Sequence, residues 1–243
     1  MSIHTEIFTS PQDIADAAGQ RLAEQVTARV APVLGLATGS TPLLTYQSLV
    51  DRHRAGLSFS SVTTFNLDEY VGLPHDHPQS YHTYMRDALF DQIDIAADRI
   101  RIPDGNAHNP DRACQQFEDA IEQAGGVDLW LLGIGSNGHI AFNEPGCQPD
   151  TRTRVVDLAP ETIEANSRFF DSPDDVPRTA ITAGIATILA ARKILLIACG
   201  QNKATAVKDA LQGPVSPDCP ASFLQSHSDC TFLLDENAAS QLA

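Results

Sequence analysis

Short aliphatic and β-branched runs alternate with longer amphipathic stretches along most of this 243-residue sequence. Such alternation is typical of βαβ units, in which helices pack against a mostly parallel sheet. We expect strands within residues 33–37, 62–66, 99–102, 128–133, 193–199 and 231–234. Helices are expected to begin just after Ser10, Ser80 and Asn109, whose side chains can cap a first turn.

The chain contains no internal repeat or low-complexity linker, so we expect one domain over residues 1–243. Its formal net charge of −15 argues against nucleic-acid binding, because a phosphate backbone requires a field of Lys and Arg. No apolar run approaches the roughly 20 residues of a membrane helix, and residues 1–10 lack the segments of a signal peptide. We therefore expect a cytoplasmic protein that binds neither nucleic acid nor membrane.

The carboxyl ends of parallel strands gather ligand-binding loops, and the first such loop here is Thr38, Gly39, Ser40, Thr41 and Pro42. Backbone N–H groups, three hydroxyls and a following helix N-terminus together form a cradle for an anion. The loop lacks the G-x-x-x-x-G-K-[ST] pattern, which argues against ATP. A plain helix-capping turn is the alternative interpretation.

A second loop of the same kind, residues 200–203, follows the strand expected at 193–199. Lys203 stands at the first turn of the next helix, where its charge opposes the helix dipole unless an anion lies in front of it. Solvent exposure of Lys203 is the competing explanation. The chain has only three lysines, so a site for an anion has to concentrate few positive groups.

Two adjacent carboxylates, Asp68 and Glu69, leave the strand expected at 62–66. Neighbouring side chains of an extended segment point in opposite directions, so at most one of them faces a ligand. A partly buried carboxylate can act as a general base when burial raises its pKa toward neutrality. An acidic turn or helix cap is the alternative.

Gly133, Gly135 and Gly138 match the G-x-G-x-x-G spacing of dinucleotide-binding proteins. That fingerprint requires a helix at the glycines, whereas Pro145 and Gly146 leave too little room for one, so we reject a dinucleotide site. The glycines instead indicate backbone that passes close to a ligand and delivers His139 and Glu144 to the same crevice. A structural histidine remains the alternative for His139.

The segment 72–79 is rich in Pro and His and is long enough to cover a site. His75, His77 and His82 have neither helical metal-ligand spacing nor a cysteine partner, so we expect no metal site there.

Six stretches resemble the glucosamine-6-phosphate deaminase family in order and spacing: LATGSTP, TTFNLDEYVGLP, HPQSYHTYM, LLGIGSNGHIAFNEPG, ANSRFFD and CGQNKA. The resemblance runs from about residue 7 to residue 234, and LDEYVGL and NGHIAFNEP are its most specific parts. The resemblance implies a doubly wound, Rossmann-like α/β fold. It also implies an enzyme that converts glucosamine 6-phosphate to fructose 6-phosphate and ammonia with no metal or organic cofactor. It also implies that the 72–78 loop forms part of a lid.

By the same resemblance, the residue matching Asp68 carries a proton from C2 of the opened sugar to C1. The counterpart of His139 assists opening of the pyranose ring, and the counterpart of Glu144 orients or charges that histidine. The TGST loop binds the phosphate together with the counterparts of Arg168 and Lys203.

Two departures from the family pattern affect the expectations. Some members have Asp where this chain has Asn137, which we keep in the catalytic set while expecting a different pH dependence. Hexameric members activated by N-acetylglucosamine 6-phosphate use a Ser, an Arg and a Lys where this chain has Cys147, Arg154 and Val156. We expect no such activation, and a monomer or small homo-oligomer.

Two other functions compete with the deaminase interpretation. The first is a 6-phosphogluconolactonase, which resembles this family in fold and in using a phosphate cradle but needs no base for C2. A non-catalytic sugar-phosphate sensor resembles it too, but such domains usually follow a DNA-binding segment. The pairing of Asp68 with the NGHIAFNEP stretch favours the deaminase.

Overall fold

The computed structural model describes residues 3–168, 170 and 172–243. Ten strands lie in this part of the chain: β1 (His4–Phe8), β2 (Val33–Leu36), β3 (Thr63–Asn66), β4 (Asp68–Tyr70), β5 (Ile100–Arg101), β6 (Leu129–Leu132), β7 (Arg154–Asp157), β8 (Thr179–Thr182), β9 (Lys193–Ala198) and β10 (Cys230–Asp235). The α-helices described are α1 (Pro11–Ala28), α2 (Leu43–Arg54), α3 (Tyr81–Ala88), α4 (Pro110–Gln123), α5 (Pro160–Ser167), α6 (Ile185–Leu189) and α7 (Ala204–Gln212).

Seven strands form one parallel sheet in the order β1-β10-β9-β6-β2-β3-β5. Strand β6 is buried on both faces: Leu129 and Leu131 join the apolar cluster beneath α1, α2 and α3, whereas Trp130 and Leu132 join the cluster with α4, α6 and α7. Helices therefore cover both faces, as continuously apolar parallel strands require. The predicted doubly wound α/β fold is confirmed.

The second sheet has three antiparallel strands in the order β4-β8-β7 and was not predicted. Only Leu67 separates β3 from β4, so the sequence gives no break between a strand of the main sheet and a strand of the small one. Strand β8 pairs Thr182 with Asp68 of β4 on one side and with Arg154 of β7 on the other. The small sheet thereby fixes the backbone at Asp68.

The six predicted strands are present, with each end within one residue of its predicted position. Strand β1 was missed because it is a partly exposed edge strand with weak apolar patterning. The three predicted helix starts are confirmed: the side chains of Ser10, Ser80 and Asn109 each accept a hydrogen bond from the N–H three residues later, at 3.2, 3.1 and 3.0 Å. Within the described residues, no helix is long and apolar enough to cross a membrane.

Candidate active site

A cavity of about 270 Å³ opens at the carboxyl edge of the parallel sheet, beyond the ends of β2, β3, β6 and β9. Nine of the ten residues predicted for the site line it: Thr38, Gly39, Ser40, Thr41, Asp68, Asn137, His139, Arg168 and Lys203. The tenth, Glu144, lies behind His139, with its Oε2 atom 3.3 Å from Nδ1 of the ring. Residues from distant parts of the chain therefore meet in one crevice.

The loop of residues 38–42 joins β2 to α2 and forms one wall of this cavity. Gly39 has φ of +103°, a conformation that residues with a Cβ rarely adopt. The backbone N–H groups of residues 38–41 make no hydrogen bond to any described residue. Pro42 directly precedes α2, so these donors cluster at a helix N-terminus, where anions are favoured.

Residues 200–203 form the second loop at the same edge, between β9 and α7. Gly200 has φ of +94°, and its N–H donates to both carboxylate oxygens of Asp235 at 3.0 Å. Burial, together with the positive charge of Arg168, lowers the pKa of Lys203. Two neighbouring cations at the mouth of a cavity are stabilised when an anion binds between them.

Asp68 and Glu69 lie side by side on β4 and point in opposite directions, as extended backbone requires. Asp68 is only 6% exposed and forms part of the cavity wall. Burial raises its pKa to about 8; the charge of Glu69 adds to this rise, and a hydrogen bond with Thr38 opposes it. A carboxylate with such a pKa is well matched to general-base chemistry near neutral pH.

Glu69 is fully buried and serves the helix-cap role that was the alternative for this pair. Its carboxylate accepts hydrogen bonds from the N–H groups of Tyr70, Tyr81 and His82, at 2.8, 3.1 and 3.1 Å, and from Nδ1 of His82 at 2.8 Å. The N-terminus of α3 is thus tied to the strand that carries Asp68.

Residues 133–139 are irregular backbone with a turn at 136–137, and no helix begins at the glycines. A Cβ atom at Gly135 would lie 2.3 Å from Nδ1 and Cε1 of His139, so the imidazole packs directly on this glycine. The N–H of Gly135 also donates to the carbonyl of His139 at 2.9 Å. The glycine motif therefore seats a histidine rather than a dinucleotide.

Glu144 gathers donors around its carboxylate. Asn137 donates from Nδ2 to Oε2 at 2.8 Å, and Thr162 of α5 donates its hydroxyl to Oε1. Burial acts to raise the pKa of Glu144, but the contacts with His139, Thr162 and Asn137 lower it to about 2. An ionised Glu144 beside the ring fixes the orientation of His139.

Three residues of α5, Glu161, Thr162 and Asn166, also line the cavity and were not singled out from sequence. The ANSRFFD stretch was the available signal, although Phe169 and Asp171 lie outside the described residues. The 72–78 loop, which the resemblance predicts to be part of a lid, contributes no residue to the cavity wall among the described residues. His77 of this loop stacks on Phe170 with ring centroids 6.2 Å apart.

The histidines near this loop have other partners. His75 stacks on His82 with centroids 3.9 Å apart, and Nε2 of His75 lies 3.2 Å from Asp104. Across the described part of the chain, no group of three or more His, Cys, Asp or Glu side chains is arranged to hold a metal ion.

Fold and site together define an α/β protein in which the N–H groups of residues 38–41, the cations Arg168 and Lys203, a buried carboxyl and a His–Glu pair surround one cavity. The sequence model of the family "Glucosamine-6-phosphate isomerases/6-phosphogluconolactonase" matches residues 9–233. A glucosamine-6-phosphate deaminase of Rhodopirellula baltica is 57% identical over 99% of this chain and 96% of its own length. The chain belongs to the glucosamine-6-phosphate isomerase/6-phosphogluconolactonase family.

Solved structures agree with this membership. A structure described as a monomeric glucosamine-6-phosphate deaminase is 45% identical, has a TM-score of 0.96, and covers 98% of this chain and 99% of its own. A 6-phosphogluconolactonase from Trypanosoma cruzi has a TM-score of 0.83 over 100% of this chain and 98% of its own. At 23% identity, that likeness shows the fold alone.

Proposed function

We propose that the protein converts glucosamine 6-phosphate and water to fructose 6-phosphate and ammonia. The observation that carries the proposal is the burial of Asp68, whose pKa is raised to about 8, in the same cavity as the loop of residues 38–41 and Lys203. Relatives named glucosamine-6-phosphate deaminase at 57% and 52% identity support this choice of reaction.

The phosphate group binds between the loop of residues 38–41 and the cations Arg168 and Lys203. Backbone N–H groups without partners in the described chain supply donors on one side, and two positive side chains supply charge on the other. Anchoring the phosphate holds C1 and C2 of the sugar at a fixed place in the cavity.

His139 assists opening of the pyranose ring by moving a proton between the ring oxygen and the C1 hydroxyl. Glu144 keeps the imidazole oriented, and Asn137 holds the Glu144 carboxylate through a 2.8 Å hydrogen bond. Ring opening produces a carbonyl at C1 that acidifies the proton on C2.

Asp68 then removes the C2 proton as a carboxylate and returns it to C1 through an enol-type intermediate. The resulting C2 imine takes up water and releases ammonia, which leaves the ketose. Each step uses side chains of this chain, and we propose that no metal or organic cofactor takes part.

Lactone hydrolysis is the rival reaction within the family. It needs no base for C2, so a buried Asp68 carboxyl would have no task in it. The likeness to a lactonase structure extends to the fold alone, and we therefore favour isomerisation with deamination.

We further propose that the reaction takes place in the cytoplasm and is carried by a single domain over residues 1–243. A monomer or small homo-oligomer is expected, and the 45% identical structure described as monomeric supports the monomer.

The decisive experiment compares wild type with Asp68→Asn, measuring ammonia, fructose 6-phosphate and hydrolysis of 6-phosphogluconolactone. We expect Asp68→Asn to lower kcat by at least about a thousandfold while substrate still binds, because an amide cannot accept the C2 proton. Asp51→Asn, at an exposed site on α2, is the matched control. Lactone hydrolysis without ammonia release by the wild type would refute the proposal.

A further inference from the structure

Two tyrosine hydroxyls hold the loop that follows β2. Tyr46 of α2 donates to the carbonyl of Ala37, and Tyr84 of α3 donates to the carbonyl of Gly39 at 2.6 Å. Neither ring belongs to the cavity wall, whereas Ala37 and Gly39 both do. The tyrosines therefore contact the loop from outside the cavity and draw two of its carbonyl oxygens away from it.

Because of peptide geometry, a carbonyl group that points away from the cavity is followed by an N–H group that points toward it. A trans peptide is planar, with its C=O and the following N–H pointing in opposite directions, and no cis peptide occurs among the described residues. Turning the carbonyls of Ala37 and Gly39 outward directs the N–H groups of Thr38 and Ser40 the other way. Gly39 permits this orientation through its φ of +103°.

We propose that Tyr84 is a positioning residue for the phosphate group of the substrate, acting through the Gly39 carbonyl to aim the Ser40 N–H into the cavity. This inference rests on the proposed function for its substrate. One part of the inference does not depend on the reaction: a hydroxyl outside the cavity affects how tightly an anion binds inside it.

The contact links two otherwise separate elements. Tyr84 lies 45 residues beyond Gly39 in sequence, and the N-terminus of α3 is fixed by Ser80 and by the carboxylate of Glu69. The loop of residues 38–41 is thus positioned against α3, the helix whose N-terminus is tied to β4 through Glu69. Burial raises the pKa of Tyr84, so its hydroxyl stays a donor throughout the working pH range.

The test is Tyr84→Phe, which removes the hydroxyl and keeps the ring. We expect about fivefold weaker binding of inorganic phosphate, measured calorimetrically, because a typical hydrogen bond contributes about that factor. KM for glucosamine 6-phosphate should rise by a similar factor with kcat within about twofold, because the phosphate is remote from C1 and C2. A purely structural contribution would lower the melting temperature without this separation of KM from kcat.

Two companion variants sharpen the result. Asp87→Asn, on the exposed side of α3, should leave phosphate affinity and KM at wild-type values. Tyr46→Phe should weaken phosphate binding in the same direction as Tyr84→Phe. Unchanged phosphate affinity and KM in a folded Tyr84→Phe protein would overturn the inference. Since phosphate binding is measured without turnover, a wild type that releases no ammonia would refute the proposed function separately.

Discussion

The carboxyl of Asp68 determines the pH range in which the proposed base can act. It must be ionised to accept a proton, and burial together with the charge of Glu69 raises its pKa to about 8. We therefore expect kcat/KM to rise about tenfold per pH unit below pH 8 and to level off above it. Initial rates between pH 6 and 10 test this, and a profile that is flat below pH 7 would contradict it.

Gly135 matters through the space it leaves for His139. A methyl group there would overlap the imidazole at 2.3 Å, so Gly135→Ala must displace the ring from the Glu144 carboxylate. We predict at least about a tenfold loss of kcat, equivalent to about 1.4 kcal/mol, in steady-state assays.

Gln123→Ala, at an exposed position of α4 that does not line the cavity, is the comparison. It should keep most of the activity of the wild type. Equal losses in the two variants, with unchanged melting temperatures, would show that the packing of His139 on Gly135 is not the cause.

At the scale of elements, the N-terminus of helix α3 depends on a buried carboxylate that belongs to strand β4. Glu69 accepts three hydrogen bonds from donors on α3 and one from the N–H of Tyr70 on β4, so Glu69→Gln would present an amide donor to N–H groups. We predict a loss of about 2 kcal/mol, or about 6 °C in melting temperature by circular dichroism.

The same change removes a negative charge that raises the pKa of Asp68. The acidic limb of the rate profile should therefore move to lower pH, whereas Glu122→Gln, at an exposed site on α4, should alter neither property. A Glu69→Gln protein as stable as the wild type would contradict the capping role.

Fully buried elements could be predicted from the sequence more reliably than partly exposed ones. Strands β2, β6 and β9 are buried along their length and show as continuous apolar runs, and three helices begin at recognisable caps. Strand β1 is a partly exposed edge, and β4 follows β3 after one residue, so neither has a pattern of its own. The small antiparallel sheet required knowledge of which distant segments pair.

At the scale of the whole molecule, a protein of net charge −15 brings Arg168 and Lys203 together at the cavity where we propose that the anionic substrate binds. Arg154 lies in the segment that the family resemblance associates with effector binding in activated hexameric members. Arg154 donates to the side chain of Asn143 at 2.9 Å and to the carbonyl of Arg152, which engages its guanidinium within the protein.

We therefore predict hyperbolic kinetics with glucosamine 6-phosphate. N-acetylglucosamine 6-phosphate at millimolar concentration should change KM by less than about twofold, since a coupling smaller than about 0.4 kcal/mol gives no larger effect. A large fall in KM on its addition would contradict this, and a sigmoidal substrate curve would do so independently.

The sequence by itself determined the parallel α/β class, the caps of three helices and the segments after strand ends that carry Ser40, Asp68, His139 and Lys203. These features depend on local patterns: buried strands are continuously apolar, caps lie next to their helices, and ligand loops follow strand ends. Only the tertiary structure decided that Glu69 caps α3, that α5 closes one side of the cavity, and that Tyr84 holds Gly39. Those contacts join residues far apart in the chain, and their partners are set by packing rather than by any neighbouring residue.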